Sequence, residues 1–207
     1  MAITTYTELK TAIADWLLRD DLTAVIPSFI ALAEADMNRQ LAHWRMESQA
    51  ALSVSSQFTA LPSDFLQPVS LSIASTSPVR AEMISRADMQ DRRYRNADTG
   101  GTPCFYAISN GQIEVYPTPD ATYSATLTYN AIPEALSDSN ATNWVLTYHP
   151  DIYLMGALSM AAPYLNNDER LGTFATLYRQ AVTAANEQSG RAQWGASGLR
   201  IKIGGRK

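Results

Sequence analysis

The spacing of the apolar residues changes twice along the chain, and these changes limit the folds that it can adopt. Apolar residues recur at helical spacing from Leu9 to Met46, alternate with polar residues between Ala51 and Tyr129, and return to helical spacing after Pro150. Side chains repeat about every 3.6 residues on one face of a helix and at every second residue in a strand. The order therefore predicts two helices, a β-rich segment and two further helices.

We predict an α+β fold, mainly a helical bundle of four principal helices with a β-rich insertion and an extended C-terminal tail. The N-terminal helical pair, residues 1–48, and the C-terminal helices, residues 149–190, form one bundle. The insertion, between helix 2 and the C-terminal helices, covers residues 49–148, and the tail covers residues 191–207. A chain of 207 residues, of which 46% are apolar, is long enough to bury a core.

Local signals fix several helix starts and one hairpin. Thr5-Tyr-Thr-Glu8 fits a capping box, in which the first and last side chains bond each other's backbone amides. Pro27 suits the first turn of the second helix, and Ser85 suits the start of a short polar helix inside the insertion. Asn110-Gly111 lies between two alternating runs and predicts a type I′ hairpin.

The tail differs from the rest of the chain in charge. Residues 1–190 hold 11 basic and 20 acidic residues, a net charge of −9, whereas residues 191–207 hold five basic residues and no acidic one. Such asymmetry indicates an end segment that binds another macromolecule. One alternative is non-specific contact between the basic tail and DNA phosphates, as in a nucleic-acid-binding accessory protein.

The other alternative is addition of a strand to a partner's sheet. In Leu199-Arg-Ile-Lys-Ile203 the apolar and basic residues alternate, so one face of the strand is apolar. Burying Ile201 and Ile203 contributes on the order of 3–6 kcal/mol before the cost of ordering the tail. Trp194 is either an aromatic anchor in a partner pocket or a residue of an unstructured tail. The alternation favours strand addition.

Enzymatic and metal sites find little support. The chain has two histidines and one cysteine, which permit no zinc site of ordinary ligand spacing. It lacks a glycine-rich phosphate loop and a nucleophile elbow. His149-Pro-Asp151 reads as the start of a helix that begins at proline. We predict no catalytic residue, no cofactor, no metal, no signal peptide and no membrane span.

Two further groups of residues have competing interpretations. Arg92-Arg93-Tyr94-Arg95 is the only basic cluster before the tail, but nearby aspartates favour a solvated helix face over contact with nucleic acid. Trp16 and Trp44 fall on apolar helix faces, together with Met37, Met155 and Met160, and are predicted to be core residues.

Several short stretches resemble the head–tail adaptor proteins, also called connector or head-completion proteins, of short-tailed, podovirus-like bacteriophages. The stretches that carry this resemblance are Tyr6-Thr-Glu-Leu9 with Trp16-Leu17, Ile26-Pro-Ser-Phe-Ile30 with Ala33-Glu34 and Asn38-Arg39, Leu61-Pro-Ser-Asp-Phe-Leu66, and the apolar helix that begins at Pro150. The resemblance implies a structural virion protein and no catalysed reaction. It also implies synthesis in the host cytoplasm and a final position at the head–tail interface.

The resemblance further implies the partners. Copies of the chain form a ring, twelve-fold in relatives, on the portal protein, and downstream tail or nozzle proteins attach to that ring. The helical bundle forms the ring body, the insertion projects outward or tailward, and genomic DNA passes through the lumen without specific binding. The tail reaches the portal, which makes the portal-binding residues Trp194, Leu199, Arg200, Ile201, Lys202, Ile203, Arg206 and Lys207.

Overall fold

The computed structural model of the protein describes residues 3–96, 98–161, 164 and 171–194. These residues group into two compact units. The helical unit comprises Met1–Arg45 and Pro133–Lys207, and the sheet unit comprises Met46–Ile132. Residues 133–148, which lie inside the predicted insertion, therefore group with the helical unit.

The described residues contain six α-helices and seven strands. The helices are α1 (Tyr6–Leu17), α2 (Ile26–Gln40), α3 (Arg86–Arg95), α4 (Trp144–Tyr148), α5 (Pro150–Ala161) and α6 (Leu171–Trp194). The strands are β1 (Glu47–Val54), β2 (Phe58–Ala60), β3 (Phe65–Ala74), β4 (Val79–Met83), β5 (Phe105–Ser109), β6 (Gln112–Tyr116) and β7 (Tyr123–Ala131).

The helices begin where side chains satisfy the free backbone amides of the first turn. At α1 the Glu8 amide donates to the Thr5 hydroxyl at 3.3 Å and the Thr5 amide donates to the Glu8 carboxylate at 3.1 Å, which confirms the capping box. Pro27 lies in the first turn of α2, and Ser85 caps α3, as predicted. Asn143 caps α4, a short helix that the apolar spacing did not reveal.

The helical unit is built around α5, which is apolar on nearly every side. This helix packs against α1, α2, α4 and α6, so no side of it needs to be polar. Gly156 lets its neighbours approach closely. A Cβ atom at that position would lie 3.1 Å from the Tyr178 ring of α6 and 3.2 Å from the Cβ of Ala33 on α2.

The sheet unit contains one mixed sheet of seven strands in the order β1-β7-β3-β4-β5-β6-β2. All neighbouring pairs are antiparallel except β4 and β5, which are parallel and are connected through α3. Strands β1 and β2, at the two ends of the order, lie next to each other, so the sheet is nearly closed. Asn110 and Gly111 have φ angles of 49° and 70°, which confirms the type I′ turn between β5 and β6.

In the strands of this sheet, alternate side chains point toward a shared core. That core contains Val54, Leu71, Ile73, Ala81, Tyr106, Ile113, Val115, Ala125, Leu127 and Tyr129. Apart from Glu47 at the start of β1, the opposite face of β1 and β7 is lined mainly by small or polar uncharged side chains. Gln49, Thr128 and Ser70 of β3 lie there in one register row. The period-two pattern therefore reflects burial of one face along β1, β3 and β7. Strands β5 and β6 also bury side chains on the other face, where Ala107 and Tyr116 pack with Met89 of α3.

The predicted fold class, mainly a helical bundle with four principal helices, is wrong. Of the described residues 46% are helical and 25% lie in strands, and the strands form one nearly closed sheet with its own core. Two of the six described helices, α3 and α4, were not among the four that we expected to be principal. The error has a physical cause: pairing between distant strands, such as β1 with β7, turns short alternating runs into one large unit.

Candidate interaction surfaces

The residues predicted to bind a portal lie almost entirely outside the described part of the chain. Leu199, Arg200, Ile201, Lys202, Ile203, Arg206 and Lys207 fall outside the described residues, and Trp194 is the last residue of α6.

The final helix is longer than predicted. The sequence places its end near Gln188, but α6 continues through Ser189 and Gly190 to Trp194. The physical reason is that Ser189 is not a helix stop. It is buried, and its hydroxyl accepts a hydrogen bond from the Trp44 amide at 2.8 Å. Ser189 thus binds the segment that carries Trp44 and does not end the helix. The first four residues of the predicted tail, 191–194, therefore extend α6.

An exposed stack of aromatic and cationic side chains lies beside the end of α6. The Arg45 guanidinium lies 4.6 Å from the centroid of the Trp44 ring and 3.9 Å from that of the Tyr148 ring. Trp44 is 41% exposed and Tyr148 is 55% exposed. We call these three residues the Arg45 ladder. Attraction between a cation and the ring faces holds the three side chains in a defined arrangement at the surface.

A buried histidine, His43, packs against the Trp44 ring of the Arg45 ladder. The His43 ring lies 5.6 Å from Trp44, 5.0 Å from Trp144 and 5.5 Å from His149, measured between ring centroids. Its Nδ1 accepts a hydrogen bond from the Arg45 amide at 3.2 Å, so the neutral ring carries its proton on Nε2.

Both histidines favour the neutral form. Burial lowers the pKa of His43, and the neighbouring His149 and Arg45 lower it further. Burial also lowers the pKa of His149; Asp151 opposes this effect and Arg45 adds to it. At neutral pH the two histidine rings are therefore uncharged, and the aromatic rings pack against them.

Hydrogen bonds from α6 fix the segment that carries the Arg45 ladder. The Ala42 amide donates to the Asn186 side chain at 2.8 Å, and the Asn186 amide group donates to the Gln40 carbonyl at 3.0 Å. Together with the bond between Trp44 and Ser189, these contacts leave the backbone of residues 40–44 firmly attached. The stack is therefore organised before any partner binds.

A second exposed apolar surface lies at the C-terminal end of α1. Trp16 is 46% exposed, and its ring packs at 6.1 Å on Phe174, near the beginning of α6. Leu18 follows the helix with a φ of 54° and is 80% exposed. A left-handed conformation costs a side-chain-bearing residue roughly 1–2 kcal/mol, so glycine is the usual residue at this position. Leu18 gains little burial within its own chain to offset that cost.

The expectation that Trp16 and Trp44 are core residues is wrong for both. They are 46% and 41% exposed, whereas Met37, placed in the same group, is buried. Helical spacing identifies the side of a helix that is apolar, but it does not show whether the same chain covers that side.

The buried carboxylate of Glu34 links the elements of the helical unit. It accepts hydrogen bonds from the Leu136 amide at 2.8 Å and from the Tyr153 hydroxyl at 3.0 Å. The Asn143 side chain donates to the Tyr153 hydroxyl at 2.6 Å. Burial raises the pKa of Glu34, and both hydrogen bonds oppose that rise. The carboxylate thus has a structural role, anchoring the segment that leads to α4.

The basic cluster of the insertion is largely engaged within the sheet unit. Arg93 contacts the buried Glu114 at 3.2 Å and Asp98 at 2.5 Å, and its guanidinium also donates to the Val115 carbonyl. Arg92 lies 4.0 Å above the Phe105 ring, and Arg95 pairs with Asp91 on the same helix. Carboxylates therefore match the charges of Arg93 and Arg95, and Arg92 packs on a ring, which leaves little of this cluster for phosphate contacts.

Neither a metal centre nor a membrane helix is found in the described ranges. Across residues 3–96, 98–161, 164 and 171–194, no three His, Cys, Asp or Glu side chains are grouped so that they could hold a metal ion. In the same ranges no helix combines the length and the apolar character needed to cross a bilayer.

What the described residues do present are organised aromatic and apolar surfaces, a property of proteins that bind other proteins. The model of the SU10 adaptor protein family matches residues 4–201, and the chain belongs to that family. It is accordingly a bacteriophage adaptor, a structural component of the virion. No curated protein sequence matches the chain.

Proposed function

We propose that this protein is a ring-forming head-to-tail adaptor. Copies assemble on the portal protein at the capsid vertex, in a ring of twelve, and the ring is the platform on which tail or nozzle proteins attach. Genomic DNA passes through the lumen without specific binding. The site of action is the head–tail interface of the virion.

We also propose that the C-terminal tail docks on the portal through Trp194, Leu199, Arg200, Ile201, Lys202, Ile203, Arg206 and Lys207. Ile201 and Ile203 fill shallow apolar pockets while the backbone adds a strand to a portal sheet. The basic residues steer the tail toward its partner and contact the rim. Repetition of one weak contact around a ring gives tight overall attachment.

One observation carries the proposal for the tail. The family match continues to residue 201, past the end of α6 at Trp194 and into the alternating stretch that begins at Leu199. The tail up to Ile201 is thus part of the pattern that defines the adaptor family, and residues 202–207 lie beyond the match. Its charge of +5 beside a body of −9 gives that segment a binding character distinct from the rest of the chain.

Truncation after Trp194 tests the docking. Since α6 ends at that residue, removing residues 195–207 leaves every described helix and strand in place. The truncated protein is expected to keep its far-ultraviolet circular dichroism spectrum and to lose sedimentation with purified portal rings. Full portal binding by the truncated protein would contradict the tail assignment.

A pair of double variants then separates apolar docking from charge. Ile201→Asp with Ile203→Asp removes the apolar face of the strand, whereas Arg206→Ala with Lys207→Ala removes two charges and keeps that face. The isoleucine variant is expected to bind portal at least about tenfold more weakly than the charge variant, because it loses most of the apolar burial. The reverse order would show that charge dominates.

The alternative function, a nucleic-acid-binding accessory protein that uses the basic tail, is tested on the same proteins. It requires binding to duplex DNA that weakens steeply as salt rises. We expect no salt-dependent retention of duplex DNA by the full-length protein at low ionic strength. Retention that disappears on removing residues 195–207 would support the alternative instead.

A further inference from the structure

We infer that the Arg45 ladder of one copy binds the end of α1 of a second copy. The contacting residues are Trp44, Arg45 and Tyr148 on one side and Asp15, Trp16 and Leu18 on the other. This inference rests on the proposed ring, and it identifies the two surfaces that join neighbouring copies.

The Arg45 ladder has the composition of a binding hot spot. Tryptophan, tyrosine and arginine are the residue types that dominate the energy of protein interfaces. Here all three lie in one stack, and hydrogen bonds to Asn186 and Ser189 hold the segment that carries Trp44. Side chains ordered in advance lose little conformational freedom when a partner binds.

Arg45 carries a charge that its own unit does not match. Among the described basic residues of the helical unit, Lys10, Arg19, Arg39 and Arg191 each form an ion pair with a carboxylate, and Arg179 donates to the Ala175 carbonyl of its own helix. Within that same set Arg45 contacts two aromatic rings and no carboxylate. A partner that brings a carboxylate against the partly buried Arg45 complements both its charge and its flanking rings.

The end of α1 supplies those groups. Asp15 is exposed and has no ion-pair partner in the described ranges, and it is followed by the half-exposed Trp16. Leu18 is the second, independent sign of a contact. It adopts a left-handed conformation suited to glycine and yet is 80% exposed, so the chain keeps an apolar side chain where its own fold gains little from one.

The positions of the two surfaces suit a ring. Trp16 packs on Phe174, near the start of α6, and Trp44 bonds Ser189, near its end. Phe174 and Ser189 are fifteen positions apart in α6, which places the surfaces about 22 Å apart along one helix. A contact between two different surfaces is heterologous, and repetition of a heterologous contact closes into a ring when its rotation permits.

The second copy is preferred over another acidic partner because its own sequence provides the match. The body of the chain carries 20 acidic and 11 basic residues, so each copy offers carboxylates in excess. Asp15 and Trp16 are consecutive exposed residues of α1, about 100° apart around the helix axis, so one end of the helix offers both a carboxylate and an aromatic ring. A guanidinium between two rings accepts both kinds of group.

Charge exchange between the two surfaces tests the pairing. Arg45→Glu and Asp15→Arg are each expected to weaken association of full-length copies into rings, on purified portal, by at least about thirtyfold. The double variant is expected to recover most of that loss, because the two charges then attract in the opposite sense. Arg39→Glu is the matched control, since Arg39 is exposed and already paired with Asp36 on its own helix.

Leu18→Gly separates a contact role from a structural one. Glycine adopts the left-handed conformation without strain, so the variant monomer is expected to be at least as stable as the natural one. Ring association is nevertheless expected to weaken, since the exposed apolar side chain is gone. Unchanged association would overturn the role of Leu18 in the contact.

The readout distinguishes the inference from the function on which it rests. Native mass spectrometry counts the copies bound to each portal, and tryptophan fluorescence checks that each variant is folded. If the natural protein forms no ring, the proposed function and the inferred contact both fail. If the natural protein and Arg45→Glu form rings equally well, or if the charge exchange restores nothing, the inferred contact alone is overturned.

Discussion

The two units of the protein bury a glutamate in different ways. In the helical unit, Glu34 is surrounded by neutral donors, the Leu136 amide and the Tyr153 hydroxyl. In the sheet unit, Glu114 is 1% exposed and lies against the Arg93 guanidinium, with the Gln57 side chain donating to it at 2.9 Å. One carboxylate is therefore stabilised by dipoles and the other by an opposite charge.

The difference shows how much each unit depends on a single residue. An ion pair inside a protein is destroyed by the loss of either partner, because the remaining charge stays buried. A carboxylate held by neutral donors can be replaced by a neutral acceptor of the same shape, since no unmatched charge is created. We therefore expect the sheet unit to be the more sensitive to substitution at its buried glutamate site.

The largest effect is expected for Arg93→Met, which leaves Glu114 buried without its cation. The sheet unit should lose about 3–5 kcal/mol of stability, which is the usual cost of breaking a buried pair. Urea unfolding followed by circular dichroism measures the loss, and hydrogen exchange at the β5 and β6 amides assigns it to the sheet unit.

Two controls sharpen this measurement. Arg95→Met removes a surface arginine from the same helix and should cost less than about 1 kcal/mol, because its pair with Asp91 is exposed. Arg93→Met combined with Glu114→Met should recover part of the loss, since no charge then remains buried. Equal losses for Arg93→Met and Arg95→Met would contradict the comparison.

A smaller effect is expected for Glu34→Ala in the helical unit. It leaves the Leu136 amide and the Tyr153 hydroxyl without their acceptor, at a cost of about 2 kcal/mol. Glu34→Gln retains an acceptor oxygen and should cost less than half as much. All four tryptophans of the chain lie outside residues 46–132, so tryptophan fluorescence during urea unfolding reports on the helical unit. Identical losses for the two variants would show that charge, not the acceptor, matters.

A loss of about 1 kcal/mol is expected for Gly111→Ala in the sheet unit, because residue 111 has a φ of 70° that alanine adopts with strain. A Cβ atom there would meet no other atom within 4 Å, so the cost is confined to the backbone. Circular dichroism should detect the change while the fluorescence midpoint stays fixed. A shift in that midpoint would show that the two units unfold as one.

The smallest effect is expected from pH. Burial holds the pKa values of His43 and His149 below their ordinary value of 6.5, so the fold favours the neutral rings. Their contribution to stability is present above pH 6.5 and is lost as the pH falls through the lowered pKa values. The fluorescence midpoint in urea should therefore be lower at pH 5.5 than at pH 7.5.

Glu34 acts in the opposite direction over the acid range. Its raised pKa means that the fold favours the protonated carboxyl group. The contribution of Glu34 to the stability of the fold is therefore present below pH 4.5 and is lost as the pH rises through the raised pKa. Glu34→Gln should consequently steepen the loss of stability on acidification, whereas His149→Gln should flatten it. A slope that neither substitution changes would exclude both groups as its origin.

Local features of the fold could be predicted because each depends on a few adjacent residues. The capping box at Thr5 and Glu8, proline near the start of α2 and the Asn110-Gly111 turn are set by backbone chemistry within one turn of chain. The order of the strands could not be predicted in this way. The pairing of β1 with β7, for example, joins residues more than 60 positions apart, and the alternation is the same for any partner.

The candidate interaction surfaces could not be predicted from the sequence for a related reason. Arg45 and Tyr148 are about a hundred residues apart in the sequence, and nothing in either neighbourhood indicates that they will stack. The spacing of Trp44 suggested burial, since an apolar residue on a helix face is usually covered by its own chain. The one available signal was composition, in that His43-Trp44-Arg45 and Trp144 to His149 are both rich in rings.

The division of the chain into units also sets the order in which they can be completed during synthesis. The sheet unit is one uninterrupted stretch, Met46–Ile132, so all its strands are available to pair once that stretch has left the ribosome. The helical unit has to wait, because α1 and α2 are made first but their central packing partner, α5, begins only at Pro150. Domains fold as units while the chain grows, so α1 and α2 remain without their packing partner until the sheet unit and the segment that leads to α5 have been made.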